Sequence, residues 1–571
     1  MYDIQYFVVL KGVRLASEFL MALHLYGAFQ EGSIYNLQIR FPVCVLGAGL
    51  TAVDVATEIL AYYPIQVRKV YKRFQELTKI YGQEYIYQGL TDEDRYILEE
   101  YLYHAELFEN STYDEIVSYL QSIGGVQIIY YRDIQHCSAY KLNYSELQNA
   151  LDQGVQFLEH HIIKNVVGDE YNALRCINVT NCSNNKNYSI QAKSLLISIG
   201  TMKNDRIDLV SLKDYSIWGD ISEQYAGSVV KAMASVKRGY HQIVNDITSS
   251  EESSSDFLSN IDEVFTATIT RIENISDSII QIQVHAPMMA KLYKPGQFFR
   301  LQNFYQHAIN INDTKMVIEP LAVTGAHVDN TTGLITFIIL DSGASSYLCK
   351  FFQVGEQLSL MGPVGNPTEI VAKKNIMLIG GGVGNAVLFS IIKSMYNADC
   401  NITYCAGYKN TSDRFHQNFI EQYTHRVLWA CDEGILDKNR EQDISYHGSV
   451  LDGMEAHFKD LSLIYDKVFI CGSYGLMSSF RDRLYNNLKG FFHEKCQFIS
   501  SINAPMQCMM GGVCGACIQK DNNNIFFSCG SQEKCLLSLD LEYLKNRLEQ
   551  NSLQEKLTYK WVKHCMLNYI P

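Results

Sequence analysis

Apolar and polar positions change period several times along the 571 residues. The run IQYFVVL (4–10) reads as a short strand, and the stretch near 13–28 as an amphipathic helix. Residues 41–63, FPVCVLGAGLTAVDVATEILAYY, pass from an apolar strand through a glycine turn into helical spacing. TDEDRYILEEYLYHAELF opens a tyrosine-rich helical stretch at 91–123, mixed strands follow over about 127–200, and 217–244 holds a turn and a helix. SSEESSSD (249–256) is polar, acidic and serine-rich, the composition of a flexible linker, and the main boundary is expected there. Beyond it, FTATITRI, IIQIQVHA and LITFIIL alternate with period two between 262 and 370, predicting an antiparallel barrel. Residues 375–500 return to alternating strand and helix, an α/β pattern, and a cysteine-rich piece begins at 503. The two glycine-rich turns belong to different patterns, so they are not a tandem duplication.

Bulk composition narrows the picture a little. The net charge of −13 argues against nucleic acid or an anionic membrane as the main partner. No run of 18 apolar residues occurs, so no membrane span is expected. The apolar N-terminus is broken by Lys11, Arg14 and Glu18 and does not read as a signal peptide, so a cytoplasmic location is expected. Of 16 cysteines most are scattered, among them Cys44, Cys137, Cys176, Cys182, Cys405 and Cys431, and read as small buried hydrophobes in a reducing compartment.

The exception is MQCMMGGVCGACIQKDNNNIFFSCG, with the spacing C-x5-C-x2-C-x11-C. Three thiolates within ten residues can wrap a small inorganic core, and Gly511, Gly512 and Gly515 let backbone N–H groups approach it. Cys508, Cys514, Cys517 and Cys529 are therefore the expected ligands of a [2Fe-2S] cluster. A structural zinc site is the alternative, although it usually shows two C-x2-C knuckles and only one is present. Cys535 reads as a spare thiol.

Small residues at 343–346 open a predicted helix whose backbone N–H groups could carry a flavin pyrophosphate; a plain glycine-bearing barrel turn is the other reading. In NIMLIGGGVGNAVLFSIIKSM (375–395) a strand runs through a glycine turn into a helix, and FICGSYGLM (469–477) is a second strand ending in such a turn. Two such turns at the ends of parallel strands would flank one nicotinamide cleft.

As an ordered set, GQFFRL, EPLAVT, GPVGNPTEI, GGGVGNAVL, CGSYGLM and CMMGGVCGAC…FFSC make residues 262–535 resemble the ferredoxin–NADP reductase superfamily. More narrowly they resemble the iron–sulfur electron-transfer subunit of dihydroorotate dehydrogenase B and, nearer still, the small subunit of the NADH-dependent ferredoxin:NADP oxidoreductases and sulfide dehydrogenases. The resemblance implies FAD on the barrel, at Gln297, Phe298, Pro320, Leu321, Ala322, Val323, Gly343, Ser345 and Ser346. It implies NAD(P)H at Gly380, Gly381, Gly382, Gly384, Cys471 and Gly472, with the cluster passing electrons to an acceptor. Two positions depart from the pattern: Glu319 and Ala322 stand where many relatives carry Arg and Ser, and Cys508 lies one residue off the usual spacing.

In the N-terminal half, Gly47, Gly49 and Ala52 fit the fingerprint G-x-G-x-x-A. After an expected second strand the chain offers QVRKVYKRF, whose Arg68, Lys72 and Arg73 would suit a 2′-phosphate, unless they are only a solvated helix start. Together with AGSVVKAMASVKRG, this half resembles the second half of the glutamate synthase small-chain family of pyridine nucleotide-disulfide oxidoreductases. There the glycine–Asp pair, here Gly219 and Asp220, binds FAD and the next helix faces the flavin. Only one fingerprint is present, so either it is the FAD fingerprint itself or the FAD half-domain is missing and the chain is truncated or one part of a split protein.

The reading is thus an α/β plus β-barrel multidomain chain. A Rossmann-type module (1–248), truncated relative to that family, is followed by a linker (249–259), a flavin barrel (260–371), a nicotinamide α/β domain (372–500), a [2Fe-2S] loop domain (501–540) and a helical tail (541–571). The expected activity is NAD(P)H-dependent electron transfer through FAD to the cluster, and on to a second module, a ferredoxin or a separate dehydrogenase. Association into a homo- or hetero-oligomer stays open.

Overall fold

A computed structural model describes residues 10–200, 217–225, 229–246, 255–458, 465–488, 490–522 and 524–567. The strand expected at 4–10 lies outside them except for Leu10, as do residues 249–254 of the expected linker.

The N-terminal sheet is wholly parallel, in the order Val13–Leu15, Ser194–Ile197, Val43–Leu46, Val126–Ile129, Gln156–Leu158. Every residue of its central strand Val43–Leu46 is buried, as a strand covered on both faces requires. An antiparallel sheet of His161–Gly168, Leu174–Asn181 and Lys186–Gln191 accompanies it.

Two sequence expectations are corrected here. The stretch 13–28 is not one helix: Val13–Leu15 pairs with Ser194–Ile197, and a helix (Ala16–Leu20) and a π-helical turn (Met21–Leu25) follow. Pairing at the sheet edge outweighs the local helical spacing. The helix Leu50–Tyr81 runs straight through 66–74, so no second strand precedes the basic residues. Val67, Val70, Phe74 and Leu77 continue its buried face at helical intervals.

Six antiparallel strands close the barrel, in the order Ile279–His285, Leu334–Leu340, Leu321–Asp329, Phe298–Asn303, Gln357–Val364, Ala267–Asn274. A seven-stranded sheet follows: Ile444–His447, Arg426–Cys431, Asn401–Tyr408, Asn375–Gly381, Lys467–Cys471, Gln497–Ser501, Glu533–Cys535. All its pairs are parallel except the last, where the cysteine-rich piece adds an antiparallel edge.

The helices Leu541–Leu548 and Ser552–Leu567, expected as a tail, are built into the interior. Leu553, Leu557, Trp561 and Val562 share one core with Ile59 and Tyr62 of the long N-terminal helix and Phe299 of the barrel. That shared core makes one compact unit of Met1–Ser198 and Thr266–Pro571, and Ile199–Phe265 forms another. Among the described residues no helix is long and apolar enough to cross a membrane.

Candidate functional site

One cavity of about 1510 Å³ collects most of the barrel and α/β motifs. Phe298, Pro320, Leu321, Ala322, Val323, Gly343, Ser345, Ser346, Gly381, Gly382, Gly384, Cys471 and Gly472 all line it. It continues past Met506, Gln507 and Ala516 to Arg14, Tyr35 and Asn36 of the N-terminal half and Arg547 of the C-terminal helices.

Register builds the barrel wall. Leu321, Ala322 and Val323 pair with Leu301, Arg300 and Phe299. The backbone N–H of Glu319 donates to Ser345 Oγ at 2.8 Å, tying this motif to the small-residue turn. Ser346 Oγ accepts from the N–H groups of Ser342 and Gly343, both at 3.0 Å, so that turn is preformed. Glu319 Oε1 accepts from the N–H and the Nδ2 of Asn36, at 2.8 and 3.0 Å. Burial, then the neighbouring Glu555, push its carboxyl up to about 8.

The two glycine turns of the α/β domain meet, because strands Asn375–Gly381 and Lys467–Cys471 lie side by side with Gly380 opposite Cys471. A Cβ on Gly384 would lie 2.4 Å from the Cys471 carbonyl oxygen and 2.9 Å from Gly472 Cα. This close approach to backbone demands glycine at 384. Burial pushes the Cys471 thiol up to about 12.

Two expected contacts fall elsewhere. The Gln297 side chain donates to the Gly365 carbonyl and accepts from the Lys294 N–H, so it holds a turn. Gly380 lies beneath the cavity wall, where a Cβ would strike Asn385 Oδ1 at 2.0 Å.

The four cysteines of the motif are buried and act on one another electrostatically as two neighbouring pairs, Cys508 with Cys514 and Cys517 with Cys529; Cys508 Sγ accepts from the Met510 N–H and Cys514 Sγ from the Ala516 N–H, both at 3.4 Å. Within the first, Cys508 is held low by the Cys514 thiol, helped by N–H groups of Cys514, Met510 and Val513. Within the second, Cys529 is held low by the Cys517 thiol, helped by N–H groups of Gly512 and Gly511. Each pair feels the other, since Cys508 acts on Cys529 and Cys514 on Cys517. Among the described residues no three His, Cys, Asp or Glu side chains converge to hold a single ion. Cys535 is exposed on the edge strand.

Residues the sequence reading passed over hold this loop. Ser17 Oγ donates to the Cys514 carbonyl at 2.8 Å, and Tyr26 Oη to that of Gln507 at 3.0 Å. Met21 packs on Cys508 and Cys514, and Gly515 leaves room for Leu15, which would lie 2.3 Å from a Cβ. Arg300 donates to the same Gln507 carbonyl at 3.1 Å, and its place as a lone charge inside the apolar run FFRL is the sequence signal that could have found it.

The fingerprint turn of the N-terminal half is differently surrounded. Gly47 has φ +121° and Gly49 opens the helix Leu50–Tyr81. Ala52 is buried in the first turn of that helix. The turn is covered: Ala139 N–H donates to the Ala48 carbonyl at 3.2 Å, and Ser138 lies over Gly49. Asp54, next along the helix, has its carboxyl pushed up to about 6 by desolvation, then by Glu146 and Glu58. Negative charge there opposes a phosphate at the helix N-terminus. Arg73 sits 21 residues beyond Ala52 on the same helix, about 30 Å away at 1.5 Å per residue. Its guanidinium donates to Thr558 Oγ1 and the Ser33 carbonyl, both at 2.8 Å, and lies over Trp561. The expectation that it reads a 2′-phosphate beside the fingerprint is corrected: it is a buried link to the C-terminal helix. Lys72 pairs with Glu31, as does Arg68.

Gly219 lies in the other unit, at φ +81°, its N–H donating to Ser235 Oγ at 2.7 Å. Asp220 follows in the same short turn, Gly219–Ile221.

No protein-family model matches the chain. It is 32% identical over 575 residues to the uncharacterized protein RP006 of Rickettsia prowazekii (strain Madrid E), covering 96% of this chain and 71% of that one. It is 26% identical over 294 residues to a Thermotoga maritima homolog of the dihydroorotate dehydrogenase B (NAD(+)) electron transfer subunit, covering 51% of this chain and 94% of that one. A solved chain of the NADH-dependent reduced ferredoxin-NADP oxidoreductase shares 24% identity with a TM-score of 0.44, over 51% of this chain and 96% of that one.

Proposed function

This chain belongs to the family of the Rickettsia prowazekii protein RP006, and we propose that it is an NAD(P)H-dependent oxidoreductase passing electrons through FAD to a [2Fe-2S] cluster and on to an acceptor. The observation that carries the reading is the placing of two buried thiol pairs beside a cavity lined by both the barrel motif and the twin glycine turns. The likeness to the electron transfer subunit homolog supports it.

The residues fit the groups invoked. Cys508 with Cys514 and Cys517 with Cys529 would supply two thiolates to each iron of a two-iron centre. N–H groups of Gly511 and Gly512 already point at Cys529. The cavity exceeds the usual range for one ligand, about 300–1,000 Å³, which leaves room for flavin and nicotinamide nucleotides side by side. Phe298, Leu321, Ala322, Val323 and the turn at Ser345 and Ser346 would hold FAD; Gly381, Gly382, Gly384, Cys471 and Gly472 would hold NAD(P)H.

When bound, the flavin accepts a hydride and the cluster carries single electrons. The protein's part is to orient and to exclude water. Gly384 and Gly472 permit close backbone approach, and Ser346 presets the turn that faces the cavity. Leu15 and Met21 cover the cysteine loop with apolar surface.

A second reading has a specific observation behind it. The covered fingerprint turn, with Asp54, Glu58 and Glu146 around it, favours an N-terminal half without its own nucleotide. The chain would then supply electrons to a separate dehydrogenase. Anaerobic titration of the purified protein with NADH and with NADPH, followed optically and by EPR, tests both. One flavin and one cluster per chain are expected, both reduced by nucleotide. Iron-free, colourless protein from a cluster-competent host would refute the main reading, and two flavins the second.

A further inference from the structure

The geometry points to Arg300 and Arg547 as two buried cations that raise the electron affinity of the cysteine-held centre, one on each thiol pair. The inference rests on the reading of that loop as the seat of a two-iron cluster. Arg300 comes from the barrel strand Phe298–Asn303 and Arg547 from the helix Leu541–Leu548. They are 7% and 2% exposed. Arg300 Nε donates to the carbonyl of Gln507, the residue before Cys508, at 3.1 Å. Arg547 Nη2 donates to the carbonyl of Ala516, the residue before Cys517, at 2.8 Å. Each thiol pair thus has a guanidinium fastened one residue from a sulfur.

Their charge is poorly matched by the protein. Arg300 gives its remaining donors to Gln302 Oε1 at 2.7 Å and to the Met361 sulfur, with its guanidinium 5.5 Å from the Tyr26 ring centre. Among the described residues no carboxylate forms an ion pair with it. Arg547 shares one carboxylate, Glu18, with Arg14: the distances are 2.8 and 2.6 Å. Two guanidiniums on one carboxylate leave a positive charge over. A buried cation without a counter-ion is costly and is kept where an anion belongs beside it. Four thiolates on two irons supply that anion, and adding one electron makes it more negative by a unit. A fixed cation nearby favours the reduced form and lifts the potential, because net charge and hydrogen bonding around the sulfurs set it.

The test uses Arg300, since Arg547 is knotted to Glu18. Cluster-loaded wild type, R300Q, R300K and Q302E are compared in mediated, EPR-monitored reductive titrations, with iron and sulfide counted in each. At the wild-type midpoint, the reduced-to-oxidised ratio is expected to fall about tenfold in R300Q, a shift of ~59 mV to lower potential. Q302E keeps Arg300 but hands it a carboxylate, and is expected to move the same way. R300K keeps the charge and gives up the fork, and is expected to stay within about twofold of wild type. Loaded R300Q or Q302E at the wild-type potential overturns the inference; if one fails to load, the other decides. An R300K shift as large as that of R300Q also overturns it, because geometry rather than charge would then be the cause. Should R300Q and Q302E both arrive without iron, R300K at the wild-type potential supports it. Iron-free wild type is a different result: it removes the cluster reading itself.

Discussion

Two turns of this protein share one local grammar and have opposite surroundings. Residues 47–52 and 380–384 each follow a buried parallel strand and open a helix through glycines. The second turn faces the cavity and presses against its twin at Gly472, so closely that a side chain on Gly384 would enter the Cys471 carbonyl. The first is roofed by Ser138 and Ala139 and flanked by Asp54, Glu58 and Glu146. A glycine motif records that the backbone can come close to something. What comes close is decided by the neighbours.

The sharpest way to break this contrast is a pair of alanines. Gly384→Ala puts a Cβ 2.4 Å from backbone, and reduction by NAD(P)H is expected to fall by about a hundredfold or more. Gly49→Ala meets only Ser138 Oγ at 3.4 Å, at an ordinary φ of −87°, and is expected to stay within about threefold. Stopped-flow reduction of the flavin measures both. Equal losses would make the N-terminal turn a working nucleotide site.

Arg73 gives a smaller effect of a different kind. Arg73→Met strands the Ser33 carbonyl and removes a donor from the Thr558 hydroxyl, which keeps its own bond to Asn36, and an unfolding free-energy loss of about 2 kcal/mol is expected. Denaturant unfolding reads this directly. The preference between NADPH and NADH should not move; a switch toward NADH would restore the 2′-phosphate role.

The third test is pH. Glu319 lines the cavity with a carboxyl raised to about 8 from the ordinary 4.5, so between those values the folded chain holds a proton the unfolded chain has lost. Stability from this group is present in full below about 4.5 and falls as pH rises through about 8. Glu319→Gln should flatten that slope, by about 1–2 kcal/mol once access to cavity water is allowed for. Thermal melts from pH 5 to 9 would show it, and parallel curves for the two proteins would contradict the assignment.

Much of the fold was legible. The barrel strands carry period-two alternation, such as IIQIQVHA, because one face of each meets a core. The cysteine spacing and the strand–glycine–helix units could also be read, as each depends on a few adjacent residues. The stretch QVRKVYKRF stayed open between a phosphate site after a strand and a solvated helix start, because basic residues after an apolar run match both a strand end and an exposed helix stripe. Only packing against Thr558 and Trp561 distinguishes them. Gln297 resembled a flavin contact by position, yet its amide closes the turn to Gly365.

By itself the sequence determined the local shapes: which segments alternate, where glycine lets the chain turn, and how four cysteines are spaced. Those follow from φ/ψ sterics and side-chain periodicity within a turn or two of chain. The tertiary structure alone decided that the four cysteines are buried together, that one glycine turn is roofed, and that Arg300 and Arg547 are fastened to the carbonyls preceding Cys508 and Cys517. Such facts are set by charge and burial, which depend on whatever lies nearby in space; Glu18 and Arg547, 529 residues apart, meet at 2.8 Å.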